Sequence, residues 1–124
     1  MIIRQEQLTS LSKASRTKFE DRVADHLKRC FPKDCEELGD SGVQALIDSG
    51  IQRAAKYDIV LERDVCKYID LMVAFGRAFD HDPALPWATE ILEDESFHNA
   101  TARVEHLFER AKMERRNEVR SAAQ

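Results

Sequence analysis

Glu62-Arg63-Asp64-Val65-Cys66-Lys67-Tyr68-Ile69-Asp70-Leu71-Met72-Val73-Ala74-Phe75 is the stretch that decides the fold. Its apolar residues Val65, Tyr68, Ile69, Leu71, Met72, Val73 and Phe75 cover most of a helical circumference and leave Arg63, Lys67 and Asp70 as a narrow polar stripe. A helix that is apolar nearly all round belongs at the centre of a bundle. Gly76 is its expected stop, because glycine takes the positive φ that ends many helices. The expectation is an all-α, single-domain bundle of five to six helices around this central helix at about 62–76.

The flanking segments supply helices of ordinary amphipathic pattern. Upstream, residues 4–31 lack proline and glycine, and Leu8, Leu11, Phe19, Val23, Leu27 and Phe31 recur on one helical face until Pro32 ends it. The serine- and threonine-containing stretch from Thr9 to Thr17 leaves room for a break near Ser12. Pro32 to Leu38 reads as a short helical turn closed by Gly39, and Ser41-Gly42-Val43-Gln44 matches the S-x-x-Q capping box of a new helix start. Val43, Leu46, Ile47, Ile51, Ala54 and Ala55 then line one face, with Gly50 inside it. A mid-helix glycine costs about 1 kcal/mol against alanine, so close approach of a neighbouring helix is the expected reason for it. Downstream, two prolines fix the stretch from Phe79 to Trp87, and Pro86 opens a short helix through Asp94 whose inner face is Trp87, Ala88, Ile91 and Leu92. Asn99 is an expected N-cap for a last helix bearing Val104, Leu107, Phe108 and Ala111. Past Ala111 the same face meets Glu114, Arg115 and Glu118. The helical domain is therefore assigned to residues 1–111, and 112–124 to a charged C-terminal extension that is either frayed or laid over a partner.

Composition supports this outline. The chain has 124 residues, 34% of them charged and 43% apolar, with four glycines, three prolines and a formal charge of −4. So few turn residues disfavour an all-β sandwich, and the apolar share is that of a folded domain. The N-terminal residues show no basic stretch leading into a long apolar one, and three cysteines are an odd number without framework spacing. The chain reads as cytoplasmic, with reduced thiols.

Chemistry-bearing residues are sparse. Asp80 and Asp82 flank His81, a cluster able in principle to hold a metal or act as a base. Its spacing is purely local, and Asp82-Pro83 is an ordinary turn opening, so neither a catalytic nor a metal role is assigned. His26, Cys30 and Cys35 cluster along the chain, but a structural zinc site needs a second ligand pair, which is missing unless Cys66 folds back. These cysteines are read as small hydrophobes, with no metal and no cofactor expected. There is no G-x-S-x-G, no glycine-rich phosphate loop and no H-E-x-x-H, so the chain is read as non-enzymatic.

Charge placement says more. Residues 80–100 contain Asp80, Asp82, Glu90, Glu93, Asp94 and Glu95 with no lysine or arginine, whereas residues 1–31 and 101–124 are net basic. An acidic stretch carrying apolar and aromatic side chains suits a basic protein surface, with Phe79, Leu85 and Trp87 as anchors and Asp80 and Asp82 setting partner choice. Its bland counterpart is a solvated connection whose aromatics plug the core. Nucleic acid is not expected as a partner, because the basic residues alternate with acidic ones. Spare amphipathic length is compatible with a homodimer.

The opening Met1-Ile2-Ile3-Arg4-Gln5-Glu6-Gln7, the helix from Phe19-Glu20-Asp21-Arg22 to His26-Leu27, and the run Arg63 to Met72 followed by Phe79-Asp80-x-Asp82-Pro83-x-x-Pro86-Trp87-Ala88-x-x-Ile91-Leu92 resemble small bacterial proteins. These are encoded beside effector, PAAR and spike genes of type VI secretion systems. The resemblance spans Met1 to about Phe108 and rests on fold-forming residues. It implies a cytoplasmic accessory, a chaperone or co-chaperone that holds a secretion effector or that effector's own chaperone. An immunity protein that neutralises a cognate toxin is the alternative.

Overall fold

In the computed structural model, residues 13–122 are described and form five α-helices with one 3-10 turn. They are α1 (Lys13–Cys30), α2 (Pro32–Ala55), α3 (Glu62–Phe75), the 3-10 turn Phe79–His81, α4 (Pro86–Glu93) and α5 (Ala100–Ala122). The expected all-α bundle is what the chain forms. The expected Leu8 and Leu11 positions and a break near Ser12 lie outside the described residues.

The centre is where the apolar helix placed it. α3 packs on α1, α2, α5 and the 3-10 turn, and its Val65, Tyr68, Ile69, Leu71 and Met72 are buried. It ends at Gly76, whose φ of 111° and amide bond to the Met72 carbonyl close the last turn. Gly50 lets α2 come against α3: a Cβ placed there falls 2.4 Å from Ile69 Cγ1 and 3.3 Å from Met72 Sδ. Overpacking of that kind typically costs about 1–3 kcal/mol, which outweighs the propensity penalty of the glycine.

Local signals fix most element ends. Phe31, before Pro32, leaves helical geometry at φ −133°, ψ 61°, and separates α1 from α2. Gly39 kinks α2 at φ 72°, ψ 171°, so its first two turns form a separate short helix, as the glycine suggested. The capping box does not form. Ser41 lies within the helix beyond the kink, and the Gln44 amide donates forward to Asp48 at 3.2 Å instead of reaching back. Asn99 does cap α5, its Oδ1 accepting the Ala102 amide at 2.8 Å. α5 continues without interruption to Ala122, so the residue 111/112 boundary is a change of surface within one helix.

Candidate functional site

The acidic connection is built into the core. Phe79 is fully buried with its ring tilted against that of Tyr68, centres 5.0 Å apart, and Trp87 is 6% exposed with its ring edge-on to Phe75 at 5.4 Å. The expected anchoring role of Phe79 and Trp87 is thereby corrected, since side chains that fill the space beside α3 offer no surface to a partner. Leu85 is half-buried against the same core. Asp82 opens a turn, its Oδ1 accepting the Ala84 amide at 2.9 Å. Glu90, Glu93, Asp94 and Glu95 remain exposed as an acidic edge.

Asp80 is likewise a fastening rather than a surface charge. Its carboxylate accepts Arg53 Nη1 at 3.1 Å and the Tyr57 hydroxyl at 3.0 Å, and His81 Nδ1 lies 3.0 Å away. Thr89 Oγ1 donates to its carbonyl at 2.8 Å. Burial raises the Asp80 pKa, but the Tyr57 hydroxyl, the Arg53 guanidinium and His81 together lower it further, so the carboxyl sits below its ordinary range. Its own burial, and then the same contact with Asp80, push the Tyr57 phenol up to about 12. A buried carboxylate paired with one cation and one hydroxyl ties α2 to the connection after α3.

A different polar group forms where α1 crosses α3. His26 Nε2 lies 2.9 and 3.0 Å from the two Asp70 oxygens, and Cys30 Sγ lies 3.8 Å from His26 Nδ1. Cys66, one turn before Asp70, completes the cluster: one ligand atom each from His26, Cys66 and Asp70 lies within 4.8 Å of the others. Burial pushes the Asp70 carboxyl up, and the opposing pull of His26 does not cancel it. Burial, with Asp70 and Cys30 nearby, pushes the Cys66 thiol up to about 11. Cys66 has thus folded back onto the His26–Cys30 pair, the arrangement that sequence spacing left open. The available signal was a pair of i, i+4 spacings, His26/Cys30 and Cys66/Asp70, each placing its members on one helical face.

Beside this cluster lies a groove of about 850 Å³ between the end of α1, the second half of α3 and α5. Its walls are Phe31, Leu71, Ala74, Phe75, Phe108 and Ala111, with Cys30 and Asp70 at one side and Glu109, Lys112, Arg115 and Arg116 along the rim, where Lys112 Nζ pairs with Glu109 Oε1 at 2.8 Å. Phe108 is flanked by two ammonium groups, Lys67 Nζ at 5.7 Å and Lys112 Nζ at 5.5 Å from its ring centre. Arg115 Nη1 reaches the Ala74 carbonyl near the C-terminal end of α3 at 3.4 Å. The charged extension after Ala111 therefore begins as one wall of the groove.

No family model, curated protein or solved structure matches the chain. Among the described residues no helix is long and apolar enough to cross a membrane.

Proposed function

We propose that the protein is a non-enzymatic protein-binding accessory whose groove takes an apolar helical segment of a partner flanked by acidic residues. The observation that carries this reading is the groove itself: an aromatic and aliphatic floor at the α1–α3–α5 corner, edged by exposed Arg115 and Arg116 and by a Lys112–Glu109 pair that leaves the rim net positive. Helix-in-groove recognition needs an apolar trough for the anchor residues and complementary charge at its edge to fix orientation. The resemblance to proteins encoded with type VI secretion genes makes a secretion effector, or the chaperone of one, the partner to test first. In that role the groove covers an apolar surface of the effector before loading, and the protein acts as chaperone or co-chaperone.

The exposed Glu90, Glu93, Asp94 and Glu95 edge supports a second reading, an immunity protein that covers the basic active site of a toxin. Co-expression with a candidate type VI secretion effector separates the two. A chaperone raises the effector's level and leaves it toxic, and Ala74→Arg, which fills the groove, abolishes the rise. An immunity protein restores growth, and Glu90→Lys with Glu93→Lys abolishes the rescue while Ala74→Arg leaves it intact. If the effector's level and its toxicity both stay unchanged beside the native chain, the accessory reading fails for that partner.

A further inference from the structure

α1 contributes His26 and Cys30 and α3 contributes Cys66 and Asp70, two i, i+4 pairs on helices that face each other. This is the layout by which bundles build metal sites from facing helices. The ligand atoms of His26, Cys66 and Asp70 lie within 4.8 Å of one another. A tetrahedral site with bonds of about 2.0–2.3 Å separates its ligands by roughly 3.3–3.8 Å, so small side-chain rotations close the gap. His26 Nε2 and Asp70 Oδ1, 2.9 Å apart in their hydrogen bond, part by about 0.4 Å or more to admit the ion. An imidazole nitrogen, a thiolate and a carboxylate are together the donor set of zinc, a borderline-soft cation.

We propose that His26 Nε2, Cys66 Sγ and an Asp70 oxygen form a binding site for a zinc-class divalent cation, with Cys30 as the outer partner of the imidazole. Cys30 Sγ lies by the far ring nitrogen, Nδ1, at 3.8 Å, where an outer contact fixes ring orientation. Binding breaks the Cys66 S–H bond, forms a metal–sulfur bond and releases that proton to solvent, while the proton shared by His26 Nε2 and Asp70 is given up and the imidazole carries its hydrogen on Nδ1, facing Cys30 Sγ, with no change of oxidation state. Three protein ligands leave a fourth position for water, at the side of the groove that Asp70 and Cys30 line. Binding at the three protein ligands does not require an occupant in the groove.

The test uses the full chain, stripped with a chelator, kept reduced with a phosphine, and titrated with Co²⁺ and then Zn²⁺. The expected result is one cobalt per chain, with thiolate-to-cobalt charge-transfer absorption that Zn²⁺ displaces. Cys66→Ser removes that absorption and weakens zinc binding by more than about 100-fold, whereas Cys30→Ala keeps the absorption and loses about 10-fold. Cys35→Ala, a cysteine at the start of α2, changes neither. Absence of the charge-transfer band in the native chain overturns the site, as does a band that survives Cys66→Ser or vanishes with Cys35→Ala. If Cys66→Ser fails to fold by circular dichroism, Asp70→Asn decides: native affinity in that variant overturns the proposal.

Discussion

Asp80 and Asp70 are both shielded from water, with side-chain exposures of 4% and 15%, but the chain treats them differently. Asp80 faces a guanidinium, a phenol hydroxyl and an imidazole, and its pKa is lowered. Asp70 faces a half-exposed imidazole beside a thiol, its pKa is raised, and it borders the groove. A carboxylate whose ionised form is fully supported fastens elements together; one that is buried without that support, beside open space, is placed where ligands come. The Asp80 side of the bundle is scaffold, and the α1–α3–α5 corner is the working face we propose.

The strongest challenge to this division is truncation on the scaffold side. Phe79→Ala and Trp87→Ala each lower unfolding free energy by about 3–5 kcal/mol in urea or thermal melts, because they empty the core beside Tyr68 and Phe75. Loss of partner binding with unchanged stability in either variant would return these aromatics to a surface role. Asp80→Ala follows, at about 2–3 kcal/mol, since it leaves the Arg53 guanidinium and Tyr57 hydroxyl without their acceptor in a largely shielded setting.

The acid limb of the stability curve sharpens the contrast. The folded pKa of Asp80 lies below its unfolded value, so its contribution is complete above about pH 4 and is lost as pH falls through the folded pKa. Asp80→Asn therefore flattens the decline of stability below pH 4, read by denaturant midpoints across the acid range. The smallest effect belongs to the other carboxylate: Asp70→Asn shifts metal-free stability by less than about 1 kcal/mol, because the amide keeps an acceptor for His26 and removes a charge that burial opposes. A loss as large as that of Asp80→Ala would make Asp70 a second fastening.

Periodicity made much of the scaffold legible. The all-round apolar pattern from Val65 to Phe75 identified the central helix, Gly50 announced the α2–α3 approach, and Gly39, Gly76 and Asn99 marked ends that the chain uses. The site was harder to read because its members come from distant turns. His26 and Asp70 are 44 residues apart, and Arg53 and Asp80 are 27 apart; local spacing carries no record of such pairings. Aromatic content within an acidic run resembled an interface, but Phe79 and Trp87 fill the core while the flanking acids stay outside. The groove is not legible from periodicity, because beyond Ala111 the apolar face gives way to charged residues, which α5 nevertheless carries on as a wall.

The division into scaffold and working corner is tested most directly by photo-cross-linking in the native cells. A photoreactive amino acid is placed at the exposed position 116 on the groove rim in one strain and at the exposed position 93 on the acidic edge in another. The account predicts a discrete adduct with one protein from position 116, suppressed by Ala74→Arg, and none from position 93. An adduct from position 93 alone would place the working surface on the acidic edge and contradict it.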